Sequence, residues 1–391
     1  MMANAPPATF AVDGLTPSSV TTPSSAEELA AALAVANEHG AAVIPWGGGL
    51  HMALGNIPSR YDLALRTAAL DRVLEHEPAD LTATVEAGIT MGKLQSTLAA
   101  HGQFLPIDAP AGATIGGVLT ANVSGPSRHA YGLPRDWLIG CRVAHADGSI
   151  SKGGGRVVKN VAGYDMPKLA VGSLGTLGVI VEATLKVAPL PAAQETLVVH
   201  CDSLAAAAAL VFAADDRGLA LRAVAILDGT TAAFWLAGPA SAVQRTSREL
   251  RQLVSGCETQ HLEGEASHDF WQHLVDAQPE PDGVAIKASL PPAAVAGFVA
   301  HCELATTAYP TTGLVLAHVE ARAAERVDID ALRRAARGAG GSLVVTSAPV
   351  ELKRRIDVWG EPGDALPLMR RLKEQFDPRG TLNPGRYAGG L

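Results

Sequence analysis

Cysteine is scarce and scattered in this chain. Cys141, Cys201, Cys257 and Cys302 include no C-x-x-C pair, which argues against a zinc ribbon or an iron-sulfur cluster held within the chain and leaves reduced, mostly buried thiols as the expectation. Basic runs are missing too. With 39 acidic against 31 basic side chains the net charge is −8, so nucleic acid is a poor partner. No apolar run reaches the roughly 18 residues that a membrane-spanning helix needs; "LAAAAALVFAA" from Leu204 and "LAVGSLGTLGVIV" from Leu169 fall short. The start, "MMANAPPATFAVDG", has neither a basic region nor an apolar core of the secretory kind. The expected location is therefore the cytoplasm, with any approach to the inner membrane made through partners. Aromatics make up 4% of the residues while glycine numbers 40, a bias to which we attach no function.

What is present begins with organisation. A length of 391 residues suggests two or three domains. Residues 25–39, "SAEELAAALAVANEH", place Leu29, Ala32, Leu33 and Ala36 on one stripe, with Ser24/Glu27 or Ser25/Glu28 as capping-box pairs and Gly40 as a stop. That helix leads into a strand, "AAVIP", and then into "PWGGGLHMALGN". Short strands follow in "DLALR", "DRVLEHE" and "LTATVEAG", so no helix begins at the triple glycine. A Rossmann fingerprint needs G-x-G-x-x-G opening a helix, and a Walker loop needs G-K-[ST]; neither is present. Two readings remain open for the loop: an anion-binding concavity of successive N–H groups, or a tight turn in which glycine serves sterics alone.

Two more glycine-dense stretches flank apolar elements. Residues 108–126, "DAPAGATIGGVLTANVSGP", carry Gly112, Gly116, Gly117 and Gly125, with Thr114, Asn122 and Ser124 as polar side chains. Residues 163–189 end in a strand that is apolar at Val179, Val181, Ala183, Leu185 and Val187. "APLPAAQ", residues 188–194, reads as a domain boundary. Beyond it, "TLVVHC", "LRAVAIL", "AAFWLAG", "VAIKASL", "LVLAHVE" and "SLVVTSA" alternate with helical stretches near 203–217, 241–254, 293–305 and 328–338. This is an α+β pattern with an antiparallel sheet covered on one face, ferredoxin-like in character. No internal repeat is visible.

Four segments, "PWGGGLHMALGN", "ATIGGVLTANVSGPSRHAYGLPRDWLIG", "VVKNVAGYDMPKLAVGSLGTLGVIVEATLKVAP" and "FDPRGTLNPGR", together resemble the flavoproteins of the vanillyl-alcohol oxidase and p-cresol methylhydroxylase (PCMH) type. Within that family the resemblance is to the FAD-binding subunits of bacterial glycolate oxidases. It is dense over residues 20–190, clear at the C-terminus and loose between. It implies an α+β protein with a two-subdomain PCMH-type FAD-binding domain over residues 1–190 (subdomains about 1–55 and 56–190), an antiparallel-sheet α+β domain over 191–350, and a segment 351–391 that folds back to the flavin domain.

The same resemblance implies non-covalent FAD, its pyrophosphate cradled by the N–H groups of Gly47, Gly48, Gly49, Leu50 and His51 after Pro45. Pro110, Gly112, Ala113, Thr114, Gly116, Gly117, Asn122 and Gly125 would follow the flavin side. Gly175, Thr176, Gly178 and Ile180 would run along the other end, with Asn383 and Arg386 in the closing segment. Leu50 lies where one group of relatives has a histidyl-flavin link. His51 is placed to approach either flavin or phosphate. Arg128, Arg135 and Asp136 suit a buried pair or a surface bridge alike. Lys159 suits a charge near the reduced flavin or a solvated surface lysine, and Tyr164 reads as a packed ring.

Flavin oxidation of a 2-hydroxy acid needs the Cα hydrogen aimed at the flavin, a group for the hydroxyl proton, and positive charge for the carboxylate. Relatives that oxidise D-lactate carry a metal-binding H-x-G-D-G-N-x-H stretch, whereas "LAHVEARAAERVD" offers His318 alone; His268 and His273 have no ligand-like spacing. No metal site and no catalytic residue is therefore assigned. The expectation is an oxidoreductase subunit that works with a related flavoprotein subunit and an iron-sulfur subunit in converting glycolate to glyoxylate. A self-sufficient dehydrogenase of another small 2-hydroxy acid, and a flavin-fold scaffold without catalysis, stand as alternatives.

Overall fold

The structure is a computed structural model that describes residues 5–155, 165–277, 280, 282–302 and 304–391. Lys159 and Tyr164 lie outside the described residues. Contacts divide the chain into two units: residues 1–123, 133–189 and 350–391 form unit 1, and residues 124–132 and 190–349 form unit 2.

Among the described residues, unit 1 holds two larger sheets and a two-stranded one. The strands are β1 (Ser19–Thr21), β2 (Val43–Trp46), β3 (Leu63–Arg66), β4 (Val73–Glu77), β5 (Thr82–Glu86), β6 (Gln103–Phe104), β7 (Leu138–Ala144), β8 (Ile150–Gly154), β9 (Val179–Lys186) and β10 (Ala188–Pro189). β1, β3 and β2 make a parallel three-stranded sheet in that order. β3, which follows residue 55, pairs with both β1 and β2. The second sheet has the order β4-β5-β9-β7-β8, all neighbours antiparallel, and β6 pairs with β10.

Helix α1 (Ala26–Glu38) starts as its sequence requires. Ser25 Oγ accepts from the Glu28 N–H at 3.1 Å, while Glu28 Oε2 accepts from the Ser24 N–H at 2.8 Å. Leu29 and Leu33 on its inner face are fully buried against Val43, Leu65, Val179, Val181 and Leu382; each such leucine contributes about 1.5–3 kcal/mol by leaving water. α2 (Met91–Ala99) and α3 (Ile115–Ala121) pack on the second sheet, with Leu94, Leu98, Val118 and Leu119 in a core shared with Val85, Ala183 and Leu185. The C-terminal segment adds a rung beside β2: the Val43 N–H donates to Thr381 O at 2.7 Å and the Asn383 N–H to Val43 O at 2.9 Å. Asp377 accepts from the N–H groups of Thr381 and Leu382 and from Lys373 Nζ, which ties down the turn before that rung.

Unit 2 contains β11 (Ala193–His200), β12 (Ala223–Leu227), β13 (Thr231–Gly238), β14 (Glu258–Glu263), β15 (Val284–Ser289), β16 (Ala305–Tyr309), β17 (Leu314–Val319) and β18 (Ser342–Ser347). They form one antiparallel sheet in the order β14-β11-β13-β12-β16-β17-β15-β18. With helices Leu204–Asp216 and Ala240–Leu253 in the first half, and Val295–His301 and Ile329–Gly338 in the second, the chain runs β-α-β-β-α-β twice. The ferredoxin-like pattern is thus duplicated, the copies meeting where β12 pairs with β16. The repeat is one of topology, carried by dissimilar residues.

Two further features differ from expectation. Strands β14 and β16 are polar or small-residue segments, "ETQHLE" and "ATTAY", with no apolar alternation to announce them. The sheet is also covered on its second face in its first half, by helix Gly264–Asp276. There Trp271 stacks on Trp235 with centroids 5.3 Å apart and donates its indole N–H to Thr196 Oγ1 at 2.8 Å.

Candidate functional site

A cleft in unit 1 encloses about 710 Å³ of atom-free space, its open mouth included. One wall is the end of β2 and the loop after it, from Pro45 to Met52. A second is α3 and the turn before it, through Ala113, Thr114, Gly116, Gly117, Thr120 and Ala121. The third is the turn into β9, through Leu174, Gly175, Gly178, Val179 and Ile180, and Asn383 and Arg386 close it. Behind the glycine loop lies another cavity of about 1030 Å³ of atom-free space, lined by Trp46, Gly47, Gly48, Gly49, Leu50 and Thr114 again, together with Arg66, Asp71 and Lys93. The loop is a partition between two spaces.

Hydrogen bonding separates the two amide-rich walls. Among the described residues, no N–H of Gly47, Gly48, Gly49, Leu50 or His51 donates to another part of the protein. Five successive donors are thereby left for water or a bound anion. The first turn of α3 is different. Ile115 N–H donates to Ile89 O at 3.0 Å, Gly116 N–H to Ala87 O at 2.7 Å, Gly117 N–H to Thr114 Oγ1 at 3.4 Å and Val118 N–H to Thr114 O at 2.9 Å. Its amides are spent inside the fold.

The glycines have distinct reasons. A Cβ on Gly47 would collide with Thr114 Oγ1 and one on Gly48 with the carbonyl oxygen of Gly112, so these two let the walls touch. Gly49, at φ +82°, is the position that needs the left-handed region. Close packing and donor exposure therefore coexist in one loop.

Thirteen residues anticipated from sequence line the cleft together: Pro45, the five of 47–51, Ala113, Thr114, Gly116, Gly117 and, across from them, Gly175, Gly178 and Ile180; Asn383 joins them at the closing side. The others do not line it. Pro110 accepts the Ala113 N–H, and Gly112 lies under Gly48. Asn122 caps α3 in the left-handed region at φ 51°, its Oδ1 buried without a partner. Thr176 is buried, its hydroxyl donating to Ser173 O and its carbonyl accepting from Lys373 Nζ at 2.9 Å. Gly125 falls in the segment 124–132, within unit 2.

Sequence reasoning passes over α3 itself, whose stretch reads only as glycine-dense, and over Trp46, Met52, Thr67 and Thr120 in the lining. It also passes over Lys353 and Asp13. Lys353 Nζ is bound by Asp13 at 2.8 Å and by the carbonyls of Ala53 at 2.6 Å and Gly55 at 3.1 Å, while Arg386 Nη2 donates to Met52 O and Leu54 O, each at 2.6 Å. Four consecutive carbonyls of the loop are held by two buried cations from the last 40 residues or so of the chain. The "PWGGG" string pointed to Trp46, but nothing local announced Lys353.

Electrostatics adds little conventional acid-base equipment. Burial pushes the His51 pKa down, and its Nε2 is buried without a partner at the cleft; the ring is neutral at neutral pH. Burial raises the Cys141 thiol to about 12 and Cys302 to about 11, so neither is a thiolate. Asp136 turns back on its own short helix, accepting the Leu133 N–H at 2.8 Å. Burial lowers the pKa of the half-buried Arg128. In unit 2, His318 on β17 has a buried, unpartnered Nδ1 and a pKa lowered by burial. Among the described residues, the His and carboxylate groups close enough to share an ion are Glu195, His261 and Glu263. There the two ring nitrogens of His261 face different carboxylates, at 3.1 and 3.4 Å, a cluster that does not include His318.

A cleft walled by backbone, with five unmatched amides and a buried guanidinium at its edge, suits a dinucleotide with an extended diphosphate. Comparison with known proteins agrees. Residues 17–154 match the FAD binding domain family and residues 360–387 the C-terminal domain of FAD linked oxidases. Glycolate oxidase subunit GlcE of Escherichia coli is 30% identical over 328 residues, covering 80% of this chain and 84% of that protein. Glycolate oxidase subunit GlcD of Bacillus subtilis is 35% identical over 197 residues, covering 50% of this chain and 42% of that protein. The mitochondrial D-lactate dehydrogenase [cytochrome] of Arabidopsis thaliana is 26% identical, covering 95% of this chain and 73% of that protein. The chain thus spans less than half of the GlcD relative. Among solved structures, alkyldihydroxyacetonephosphate synthase superposes with a TM-score of 0.69 at 19% identity over 94% of this chain and 77% of that one, a likeness of fold. The chain belongs to the FAD-linked oxidases of the PCMH type, a family of FAD-dependent oxidoreductases, and FAD is its cofactor.

Proposed function

We propose that this chain is the FAD-binding subunit of a multi-subunit oxidase of 2-hydroxy acids, acting on glycolate together with a related flavoprotein subunit and an iron-sulfur subunit. The observation that carries this reading is the similarity to GlcE, which runs through both units and covers most of that protein's length. When bound, FAD would supply the two-electron acceptor needed to take glycolate to glyoxylate, and an iron-sulfur partner would be the onward carrier. The chain's own residues bind and orient. Amides 47–51 hold the diphosphate, Ala113, Thr114, Gly116 and Gly117 wall one side, and Gly175, Gly178, Ile180 and Asn383 wall the other. His51, kept neutral by burial, offers a ring nitrogen to the cofactor without adding charge. No helix among the described residues is long and apolar enough to cross a membrane, so membrane contact is assigned to partners.

Co-purification from the native host, with flavin counting and glycolate oxidation measured with and without each partner, tests the proposal. Activity that needs all three subunits supports it; full activity from this chain alone replaces it with the second reading.

That second reading, a self-sufficient dehydrogenase, is favoured by one feature of unit 2. Ala285 pairs with His318 and Lys287 with Leu316, so Lys287 and His318 share a face of the sheet. Burial lowers the Lys287 pKa, and the field of Arg128 lowers it further. Lys287 and Arg128, neither of which has a carboxylate partner among the described residues, suit a substrate carboxylate. Anaerobic bleaching of the flavin in the isolated chain by any member of a panel of 2-hydroxy acids decides for it.

A further inference from the structure

We infer that Arg386 is a built-in counter-charge for the cofactor's diphosphate, so that the C-terminal segment is part of the anion site and the site is more than a nest of neutral amides. This rests on the FAD reading of the cleft.

Arg386 is 2% exposed and lines the cleft. Its Nη2 is engaged by Met52 O and Leu54 O and its Nη1 by Asn383 Oδ1 at 3.4 Å, while its Nε is buried with no acceptor. Among the described residues no carboxylate lies within ion-pair distance of it. Asp13, whose field reaches it, is already held by Lys353 at 2.8 and 2.9 Å. Two buried cations thus share one carboxylate beside a cleft. Burying a charge without its counter-ion is costly, and carbonyl dipoles offset only part of that cost. Desolvation accordingly pulls Arg386 down to about 10 and lowers Lys353 as well, yet the guanidinium remains protonated at neutral pH.

An anion in the cleft resolves this imbalance, and position selects which one. The carbonyls that Arg386 grips belong to Met52 and Leu54, directly after His51, where the run of free amides ends. The charge lines the same cleft as the donor loop, where a diphosphate lies if those donors hold it. It acts on the loop in two ways: it fixes the limb after the amides, and it adds an attractive field that neutral N–H groups lack.

The experiment uses the full chain stripped of flavin, titrated with FAD, ADP and riboflavin, in the wild type, Arg386→Lys and Arg386→Met. The expected result is that Arg386→Met weakens FAD and ADP by about tenfold or more, leaves riboflavin unchanged and flattens the salt dependence of FAD binding, while Arg386→Lys retains most of the affinity. A folded Arg386→Met with wild-type affinity for FAD and ADP overturns the inference. Should Arg386→Met fail to fold, the wild type still decides: inorganic pyrophosphate raises the apoprotein Tm and competes with FAD if the charge is right, and does neither if it is wrong. If the wild type takes pyrophosphate but not FAD, the anion site stands and the flavin reading falls.

Discussion

The two glycine-rich walls of the cleft, residues 47–49 and residues 113–117, look alike in composition and do opposite things with their backbones. The first leaves its amides unmatched and has its following carbonyls drawn back by Arg386 and Lys353. The second spends its amides on Ile89, Ala87 and Thr114 as it opens α3. Glycine density locates a place where chains approach closely; only the hydrogen-bond ledger says which of them faces a ligand. A helix N-terminus at a cleft is accordingly not an anion site when its donors are already taken.

The largest expected effect breaks that contrast directly. Gly48→Val drives a side chain into the Gly112 carbonyl, costing about 1–3 kcal/mol of stability and abolishing flavin retention, both read from the purified protein's melting temperature and its flavin spectrum. Because Gly48 lies outside the left-handed region, the penalty there is steric; wild-type flavin content would remove the loop from the site. Gly49→Ala probes the other reason for glycine: at φ +82° it should cost about 1–2 kcal/mol, with urea unfolding as the measure. Gly112→Ala sharpens the comparison from just before the second wall. Its Cβ meets only Leu50 Cδ1, at 3.8 Å, so stability should stay level or rise by about 0.5 kcal/mol with flavin retained; loss of flavin would show that Gly112 faces the cofactor after all.

The smallest effect is a matter of one proton. His51 has a folded-state pKa below its ordinary value of 6.5 because burial disfavours the imidazolium. Between the two values the unfolded chain binds more protons, so stability of the apoprotein rises with pH up to about 6.5 and is lost as pH falls below it. His51→Gln should remove this share of the slope in Tm against pH between about 5 and 7, with other buried histidines keeping the remainder; an unchanged slope would place His51 in water.

Legibility in the sequence followed the range of the interaction. α1 was readable down to its Ser25 cap and Glu28 partner because every contact lies within a turn or on one stripe. β9 declared itself through alternating Val179, Val181, Ala183 and Leu185. α3 did not, since Gly116 and Gly117 have poor helix propensity and the helix is held by Ala87 and Ile89 from another segment. β14 is a polar edge strand, and the doubled βαββαβ topology of unit 2 is invisible in residues that no longer resemble each other. The strand β3 joined the first sheet across the expected subdomain boundary because parallel pairing with β2 is a non-local contact.

By itself the sequence determined the α+β class through local periodicity, and it pointed to the family and its FAD through a resemblance carried by four glycine-dense or closing segments. Tertiary structure alone decided which amides stay free and which charges stand beside them. Asp13, the loop at residues 52–55, Lys353 and Arg386 are brought together across some 300 positions, and a buried charge acquires its meaning only from what surrounds it in space.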